Sequence, residues 1–402
     1  MENNMKKRRT NRIRDRLYRI LALFFVCIVL ILAVASIIRP DVKYSEEENR
    51  ILAEMPELTK ESIMNKKFMN GLESYTSDQF ILRDFWIKMK VQFDLLTGKR
   101  EFNGVYLGKD KQLMQKPVDP DMKNVDDNLQ AMASFANRHK EVTMNAMIVP
   151  NAAYVMKDRL PKGAPVRDQG KDMKYIRKHL PDQIGMIDVT KTLQQHAGEG
   201  MYYKTDHHWT SKAALHSFKV AAPQMGIENP IEHYTKYLVT DSFSGTLASK
   251  SGYHKTVDSI EVYAPEGTDV QYLVNDSENS ERRPTLYEKK ALSEKDKYQV
   301  FLGGNHAMVN ISIANPTTRK LLIFKDSYAN CFVPFLTPYY SEIIMVDPRY
   351  YYDNVDTLMK NKNVTDVLFL YNMDTFMNDN SINGVLGSDV EVESVEENES
   401  AE

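Results

Sequence analysis

The sequence predicts an α/β protein in which a buried, mostly parallel sheet carries helices on both faces, joined to a single N-terminal transmembrane helix. One uninterrupted apolar run near the N-terminus predicts the transmembrane helix. Farther along, short apolar segments rich in β-branched residues are separated by helix-length intervals, which is typical of a parallel sheet buried on both faces. The 402-residue chain is 42% apolar and 27% charged, as expected of a globular protein with a substantial core.

The N-terminal run has the length and charge distribution of a membrane anchor. Seven Lys and Arg residues precede Leu17, and the segment Ile20–Ile38 contains no charged residue. Nineteen helical residues rise roughly 28 Å, which matches the hydrocarbon core of a bilayer. The positive-inside rule keeps the N-terminus in the cytoplasm and places everything after Arg39 outside the cell membrane. The alternative is a signal peptide cleaved between residues 35 and 36 in "AVAS", which would also export the domain.

The rest of the chain divides by composition. A charged, proline-punctuated stretch follows the anchor and indicates a stalk. Within the α/β pattern, residues 226–310 favour short strands and turns and predict a mostly β insertion. The C-terminal residues 387–402 are acidic and lack an apolar period, so they are predicted to be disordered. In chain order, the predicted segments are a basic cytoplasmic tail (1–16), an anchor (17–38), a stalk (39–70), the α/β domain (71–380) and the acidic tail.

Apolar periodicity assigns the elements in order. Helical spacing is found in residues 80–93, 124–137 and 210–225, and a Thr-Ser pair at the start of the third stretch provides N-cap candidates. Two short strands flank a Gly-Lys-Asp turn in 104–114. The strands of the predicted central sheet are "MNAMIVP" (144–150), "IGMIDVT" (184–190), "KLLIF" (320–324), "EIIMV" (342–346) and "DVLFLYN" (366–372).

Charge and cysteine usage argue against several classes of protein. The net charge is −3, and Lys and Arg are spread along the chain outside the N-terminal run, so no nucleic-acid partner is predicted. Of the two cysteines, Cys27 lies in the apolar run and Cys331 stands alone, which leaves neither a disulfide framework nor a cysteine-based metal site. No metal or other cofactor is predicted.

A cluster of chemically active side chains occurs in "YYKTDHHWTSKAAL" (202–215), where an acid, two imidazoles and an indole are consecutive. Asp206 and His208 fall on the same side of an extended segment. A carboxylate in that position fixes the tautomer of the imidazole and stabilises the imidazolium, as a Ser-His-Asp hydrolase needs. Two alternatives are open: a purely structural His–Asp pair, or a metal site, although His207 and His208 cannot both point the same way.

A matching nucleophile is found in "LLIFKDSYANCFVPFL" (321–336). The apolar start predicts a buried strand, "KDSYAN" a sharp turn at its C-terminal end, and "NCFVPFL" the start of a helix. Ser327 in that turn would be exposed at the mouth of the sheet, where the following backbone N–H groups can stabilise an oxyanion. Alternatively, Ser327 and Asp326 serve only as helix N-caps. Asn372 ends a strand two strands later, on the same edge of the sheet. It would serve there either as an oxyanion donor or as a turn-forming asparagine.

The motifs "SDQFILRDFW", "TDHHWT", "FKDSYAN" and "VLFLYN" together resemble the DHHW family of membrane-anchored bacterial proteins, over about residues 70–375. This family is similar to the SGNH-hydrolase-like domains that O-acetylate alginate and other exported polysaccharides. The resemblance implies an SGNH-like, flavodoxin-like sheet in permuted order, with Ser327 as nucleophile, His208 as base and Asp206 as its orienting acid. The D-x-H spacing and the early position of this pair match the alginate-acetylation relatives. The glycine of the second SGNH block is missing, because the corresponding strand ends in "VDPRYY".

The resemblance also implies the surroundings of the site. Without the glycine of the second block, the expected oxyanion donors are the Ser327 N–H and Asn372. Trp209 and Tyr328 would pack the site, without a chemical role. The residues expected to line the site are His207, Trp209, Lys325, Asp326, Tyr328 and Asn330.

The expected function is O-acetylation of an exported or cell-surface polysaccharide. Acetyl-CoA is not supplied outside the cell, so the resemblance implies a multispanning membrane acyltransferase as the partner that passes acetyl groups outward. The anchor would hold the domain in the lipid bilayer near that partner. Three alternatives are open: a carbohydrate acetylesterase, a metal-dependent hydrolase, and a non-catalytic anchored protein that binds glycans or acts as a scaffold.

Overall fold

The computed structural model describes residues 2–268, 270–276 and 281–387. The chain divides between Thr97 and Gly98 into two compact units. The predicted segment boundaries stay predictions, and the acidic tail beyond residue 387 lies outside the described residues.

The first unit begins with one long helix, α1 (Glu2–Ile38). Its part Arg14–Ile38 is long and apolar enough to cross a membrane, and none of its most apolar stretch is buried in protein. The remaining elements of this unit are β1 (Tyr44–Ser45), β2 (Arg50–Ile51), α2 (Lys60–Met64), α3 (Lys67–Asp78) and α4 (Arg83–Leu96). The helix predicted over 80–93 therefore starts later than expected, because Leu82 has a φ of 56° and ends the irregular stretch before α4.

The second unit contains thirteen strands and eight α-helices among the described residues. The strands are β3 (Glu101–Phe102), β4 (Val105–Leu107), β5 (Leu113–Gln115), β6 (Thr143–Val149), β7 (Ile184–Met186), β8 (Tyr234–Phe243), β9 (Asp258–Pro265), β10 (Tyr272–Asp276), β11 (Glu281–Arg283), β12 (Met308–Ile313), β13 (Lys320–Lys325), β14 (Glu342–Val346) and β15 (Asp366–Asn372). The helices are α5 (Met122–Arg138), α6 (Ala152–Val155), α7 (Gln169–His179), α8 (Thr190–Gln195), α9 (Ser211–Gln224), α10 (Thr246–Ser251), α11 (Val355–Lys362) and α12 (Met373–Asn378).

Eight strands form the central sheet, in the order β11-β10-β12-β14-β13-β15-β6-β7. The five strands from β14 to β7 run parallel to one another, and these are the five strands predicted from apolar segments. Strands β12, β10 and β11 extend one edge in antiparallel pairing. The predicted α/β fold with a mostly parallel sheet is confirmed.

Helices cover both faces of the sheet, so the side chains on both faces of each central strand are buried. In β13, Leu321 and Ile323 point into one apolar core, whereas Leu322 and Phe324 point into the other. Successive side chains of a strand alternate between faces, so a strand buried on both sides must be apolar throughout. The first core includes residues of α9, and the second includes residues of α5, α7, α11 and α12.

The segment 226–310 consists mainly of strands and turns, as predicted, but it does not form one separate layer. Strands β8 and β9 pair as a hairpin outside the central sheet, with α10 between them. Strands β10 and β11 instead join the antiparallel edge of the central sheet.

The helix predicted from "NCFVPFL" is wrong. The chain after β13 makes three short 3-10 turns, at Ser327–Cys331, Val333–Phe335 and Thr337–Tyr339. Pro334 and Pro338 account for this, because proline lacks an N–H and its ring clashes with the preceding turn of an α-helix.

Candidate active site

The candidate site lies at the carboxyl end of β13. This strand ends at Lys325, and Asp326 caps the following turn by accepting a hydrogen bond from the Tyr328 N–H at 2.8 Å. In the run from residue 321 to 333, Ser327 alone is not fully buried. Ser327 is thus the one partly exposed residue of this otherwise buried run, at the edge where α/β sheets bind their ligands.

Three side chains form one hydrogen-bonded chain that ends at this hydroxyl. The Nε2 atom of His208 lies 2.7 Å from the Ser327 Oγ, and its Nδ1 atom lies 2.5 Å from the Asp206 Oδ1. Asp206 and His208 are buried, at 1% and 6% exposure. The fold therefore brings together the three residues that the sequence singled out, although Ser327 is 119 positions from His208.

Asp206 is held as a fully hydrogen-bonded carboxylate. Its Oδ1 also accepts the His208 backbone N–H at 2.9 Å, and its Oδ2 accepts the Thr246 N–H at 2.7 Å and the Thr246 hydroxyl at 3.0 Å. Burial alone would raise the pKa of Asp206, but the charges of His208 and His207 and these hydrogen bonds hold its pKa well below the usual range. The group facing His208 is consequently an anion at any pH where a protein is normally studied.

Tyr298 forms a wall of the site that the sequence did not indicate. Its ring stacks on the imidazole of His208, with the ring centroids 3.7 Å apart and the planes at 11°. Its hydroxyl donates to the backbone carbonyl of Ser327 at 3.2 Å. One buried side chain thus contacts both the imidazole and the backbone of the serine turn.

Trp209 and Tyr328 bind the two halves of the site to each other. The indole Nε1–H of Trp209 donates to the Tyr328 carbonyl at 2.9 Å, and the Tyr328 hydroxyl donates to the His207 carbonyl at 2.7 Å. Their rings also stack, at a centroid distance of 5.5 Å. Both residues are fully buried. They hold the histidine segment against the serine turn.

Asn372 lies at the same sheet edge, with its side-chain amide engaged. Its Nδ2 group donates to the Asp326 Oδ2 at 2.5 Å and to the Thr375 Oγ1 at 2.7 Å, and its backbone N–H also donates to Asp326. The side-chain oxygen caps α12 by accepting the Thr375 N–H. An amide N–H₂ has two hydrogens, so Asn372 could reach an oxyanion only by giving up one of these bonds.

Lys325 and Asn330 lie behind the serine turn. The Lys325 ammonium is 1% exposed and donates to Asn330 at 2.9 Å and to Asn305 at 3.0 Å. Asp347 lies 3.8 Å from it. Burial lowers the pKa of Lys325 to about 8, against the opposing charge of Asp347. These contacts hold the serine turn against the loop that contains Asn305.

His207 occupies the rim of the site, with 31% of its side chain exposed. Its Nδ1 atom lies 2.8 Å from the Thr246 Oγ1. Burial lowers the pKa of His207 to about 4, and the neighbouring charge of His208 acts in the same direction. The imidazole of His207 is therefore neutral at physiological pH.

Among the described residues, two clusters of side chains have atoms close enough together to hold a metal ion. One is Asp206, His207 and His208, and the other is His196, Glu199 and His216. In the first cluster, both ring nitrogens of His208 are engaged by Asp206 and Ser327. In the second, the ammonium of Lys212 lies 3.0 Å from the Glu199 carboxylate. A metal ion in either place would have to displace these partners.

Two partners of the candidate triad, Thr246 and Tyr298, were missed by sequence analysis. Both come from the 226–310 segment, for which the sequence predicted only a mostly β insertion. The signal available in the sequence was "SGT" ahead of a short helix, since backbone N–H groups at a helix start suit a carboxylate. Tyr298 had no such local signal.

The comparisons with known proteins agree with this architecture. Residues 120–346 match the DHHW protein family. A DHHW family protein from Eubacterium siraeum superposes with a TM-score of 0.62 at 24% identity, covering 70% of this chain and 95% of that chain. Bacillus cereus PatB1, in a structure with a sulfonyl adduct, superposes with a TM-score of 0.59 at 19% identity, covering 70% and 97%. The O-acetyltransferase domain of Pseudomonas putida AlgJ gives a TM-score of 0.45 at 15% identity, covering 71% and 99%. No curated protein sequence matches the chain significantly.

Proposed function

The chain belongs to the DHHW family, and we propose that it is an extracytoplasmic acyl-ester enzyme that O-acetylates an exported or cell-surface polysaccharide. The observation that carries the proposal is the hydrogen-bonded chain from Asp206 through both ring nitrogens of His208 to the hydroxyl of the partly exposed Ser327. A merely structural His–Asp pair does not require a serine on the second ring nitrogen. An N-cap serine does not require a histidine on its hydroxyl.

The proposed reaction begins with attack by the Ser327 Oγ on the carbonyl carbon of an acetyl donor. His208 Nε2 takes the Ser327 proton, and the ionised Asp206 stabilises the imidazolium that results. When the tetrahedral intermediate collapses, His208 returns that proton to the oxygen of the departing donor. Acetyl-Ser327 remains. An acceptor hydroxyl then attacks the ester, gives its proton to His208, and leaves acetylated while Ser327 regains a proton.

The oxyanion would be stabilised at the start of the serine turn. Ser327 is the first residue of its 3-10 turn, so its N–H is among the donors that a helix cannot satisfy internally. We assign this N–H as the first oxyanion donor. Asn372 would serve as the second donor only after releasing Asp326 or Thr375.

The family resemblance favours transfer to a sugar over simple hydrolysis, because the similar SGNH-hydrolase-like domains acetylate exported polysaccharides. The acetyl group would come from a multispanning membrane acyltransferase. The helix Arg14–Ile38 would keep the domain near that partner, with the N-terminus in the cytoplasm. With water as acceptor, the same acetyl-Ser327 would make the protein an esterase.

The deciding experiment is acyl transfer from p-nitrophenyl acetate by the purified full-length chain, with Ser327→Ala, His208→Ala and Asp206→Ala as variants. We expect each variant to lose activity by about 10³-fold or more, because residues of a triad act as a unit. Intact-mass analysis should show an acetyl group on Ser327. A sulfonyl fluoride should add to the same residue, since an activated hydroxyl reacts with this class of electrophile and the Bacillus cereus relative is described with a sulfonyl adduct.

Other results would favour the alternatives. Activity that survives Ser327→Ala but is lost on chelation would support a metal-dependent hydrolase. A chain that takes neither acetyl nor sulfonyl label would support a non-catalytic glycan-binding or scaffold protein. Oligosaccharide acceptors that accelerate the loss of acetyl-Ser327 more than water does would support a transferase over an esterase.

A further inference from the structure

The "SDQFILRDFW" motif contributes nothing to the candidate triad, yet it forms a dense set of contacts in the N-terminal unit. The Gln79 side chain accepts the Val42 N–H at 2.9 Å and donates to the Val42 and Ala53 carbonyls. The Asp78 carboxylate pairs with Arg50 and accepts the Ala53 N–H at 2.9 Å. The motif thus fixes the end of α3, just before α4, to the chain segment that follows α1.

One further contact links the start of α4 to α1 itself. The Ile81 N–H donates to the Ser36 Oγ at 3.1 Å, and the Ser36 hydroxyl in turn donates to the Leu32 carbonyl. Ser36 lies two residues before the end of α1, about 3 Å along the helix axis. If Arg14–Ile38 crosses the membrane, Ile81 lies at the depth where hydrocarbon gives way to lipid headgroups.

The helix that begins there has two apolar faces. Val91 is buried, and Ile87 and Leu95 are partly buried, so these residues form the inner face. The opposite side carries six large apolar residues that are 42–87% exposed, which we call the outer face: Leu82, Phe85, Trp86, Met89, Phe93 and Leu96. At 100° per residue the five of these positions that lie in α4 fall within about 100° of arc, which makes one continuous stripe, and Leu82 directly precedes the first turn.

We propose that α4 lies along the outer surface of the membrane, with its outer face inserted among the lipid headgroups and upper acyl chains. Continuity with the membrane span argues for lipid as the occupant, because the contact between Ser36 and Ile81 sets the depth of the first turn. Composition argues for it as well, since three of the six residues are aromatic and tryptophan favours the membrane interface. This inference rests on the proposed membrane anchor and is independent of the proposed chemistry.

The chain offers its own reporter for this contact. It contains two tryptophans, Trp86 on the outer face and Trp209, which is 0% exposed. The full-length chain would be reconstituted into phosphatidylcholine vesicles with or without brominated acyl chains, which quench tryptophan fluorescence on contact. Iodide would serve as the aqueous quencher. We expect bromolipid quenching that disappears in Trp86→Phe, with the residual Trp209 emission unchanged as evidence of folding.

Reporters placed along the helix distinguish a helix that lies on the membrane from one that only starts there. In the Trp86→Phe background, Phe93→Trp places the probe two turns farther along the outer face, and Lys88→Trp places it about 100° around the helix from Met89. We expect bromolipid quenching at positions 86 and 93 to exceed that at position 88 by roughly threefold or more. Iodide should show the opposite order.

Each other outcome overturns the proposal. Iodide quenching of positions 86 and 93 would mean that the face is in water. Shielding of both positions from both quenchers would mean that protein, such as a second copy or a membrane partner, covers it. Bromolipid quenching of position 86 alone would mean that α4 leaves the surface. A chain that fails to float with vesicles has no membrane anchor. That result would contradict both the proposed anchor and this inference, and it would not affect the outcome of the acyl-transfer assay.

Discussion

Tyr298 and His208 stack face to face, with their ring centroids 3.7 Å apart and an angle of 11° between the planes. The stack covers one face of the imidazole with a buried ring and leaves both nitrogens in the ring plane, where Asp206 and Ser327 bind them. The orientation of His208 is therefore set from three sides. Because proton transfer depends on that orientation, Tyr298 is expected to act as a positioning residue.

Substitutions of Tyr298 should separate its ring from its hydroxyl. Tyr298→Phe keeps the stack and loses the hydrogen bond to the Ser327 carbonyl, so we expect kcat to fall about 3–10-fold. Tyr298→Leu removes the stack as well and should lower kcat about 100-fold with little change in KM. Steady-state kinetics with p-nitrophenyl acetate would measure both. Equal losses in the two variants would show that the ring contributes nothing beyond its hydroxyl.

Gly245 provides space for the Asp206 carboxylate. Its φ is −87°, which any residue can adopt, but a Cβ atom there would overlap the Asp206 side chain. We expect Gly245→Ala to displace Asp206, to lower activity at least about 100-fold and to destabilise the fold by roughly 1–3 kcal/mol.

The matched control is Gly198→Ala, because an added Cβ at Gly198 meets nothing within 4 Å. Activity assays and urea unfolding of both variants would test the difference. Near-normal activity in Gly245→Ala would mean that the position of Asp206 is unimportant for the reaction.

The strands were predictable because their signals are local. Both faces of β13 and β15 are buried, so these strands had to be continuous apolar runs. Asp206 and His208 are two residues apart, and Ser327 follows the end of β13 by two residues, so each half of the candidate triad also carried a local signal.

The rest of the site could not be predicted, because its contacts join distant segments. Thr246 reaches Asp206 across 40 positions and Tyr298 reaches the Ser327 carbonyl across 29. Thr246 had only the weak signal of "SGT" at the start of a short helix, and Tyr298 had none. The occupation of the Asn372 amide by Asp326 depends on how two neighbouring strands end, which the sequence pattern alone does not specify.

The bond between Trp209 and Tyr328 should contribute to stability as well as to activity. Trp209→Phe keeps an aromatic ring but leaves the buried Tyr328 carbonyl without the indole donor, which should cost about 1–3 kcal/mol in the free energy of unfolding. Tyr328→Phe removes the hydroxyl that donates to the His207 carbonyl. Urea unfolding of both single variants and the double variant forms a cycle, and we expect coupling of roughly 0.5–2 kcal/mol. Strict additivity would show that the two bonds act independently.

Asp374 should make stability depend on pH in mildly acidic solution. Burial raises the pKa of Asp374 from 3.8 to about 6, and the charge of Asp172 acts in the same direction. Between those values the folded protein keeps a proton that the unfolded chain has released. The free energy of unfolding therefore falls as the pH rises through this window.

Asp374→Asn should remove this loss, because the amide stays neutral and keeps the oxygen that accepts from Gln169. Relative to the wild type, we expect the variant to gain on the order of 1–2 kcal/mol in the free energy of unfolding between pH 4 and pH 7.5, allowing for its partial exposure. Urea unfolding at both pH values would measure the difference, with the exposed Asp182→Asn as control. If the free energies of unfolding of the wild type and the variant differ by the same amount at both pH values, Asp374 is already ionised at pH 4. That result would also mean that water reaches the surroundings of Asp374 and Gln169 more than their burial implies.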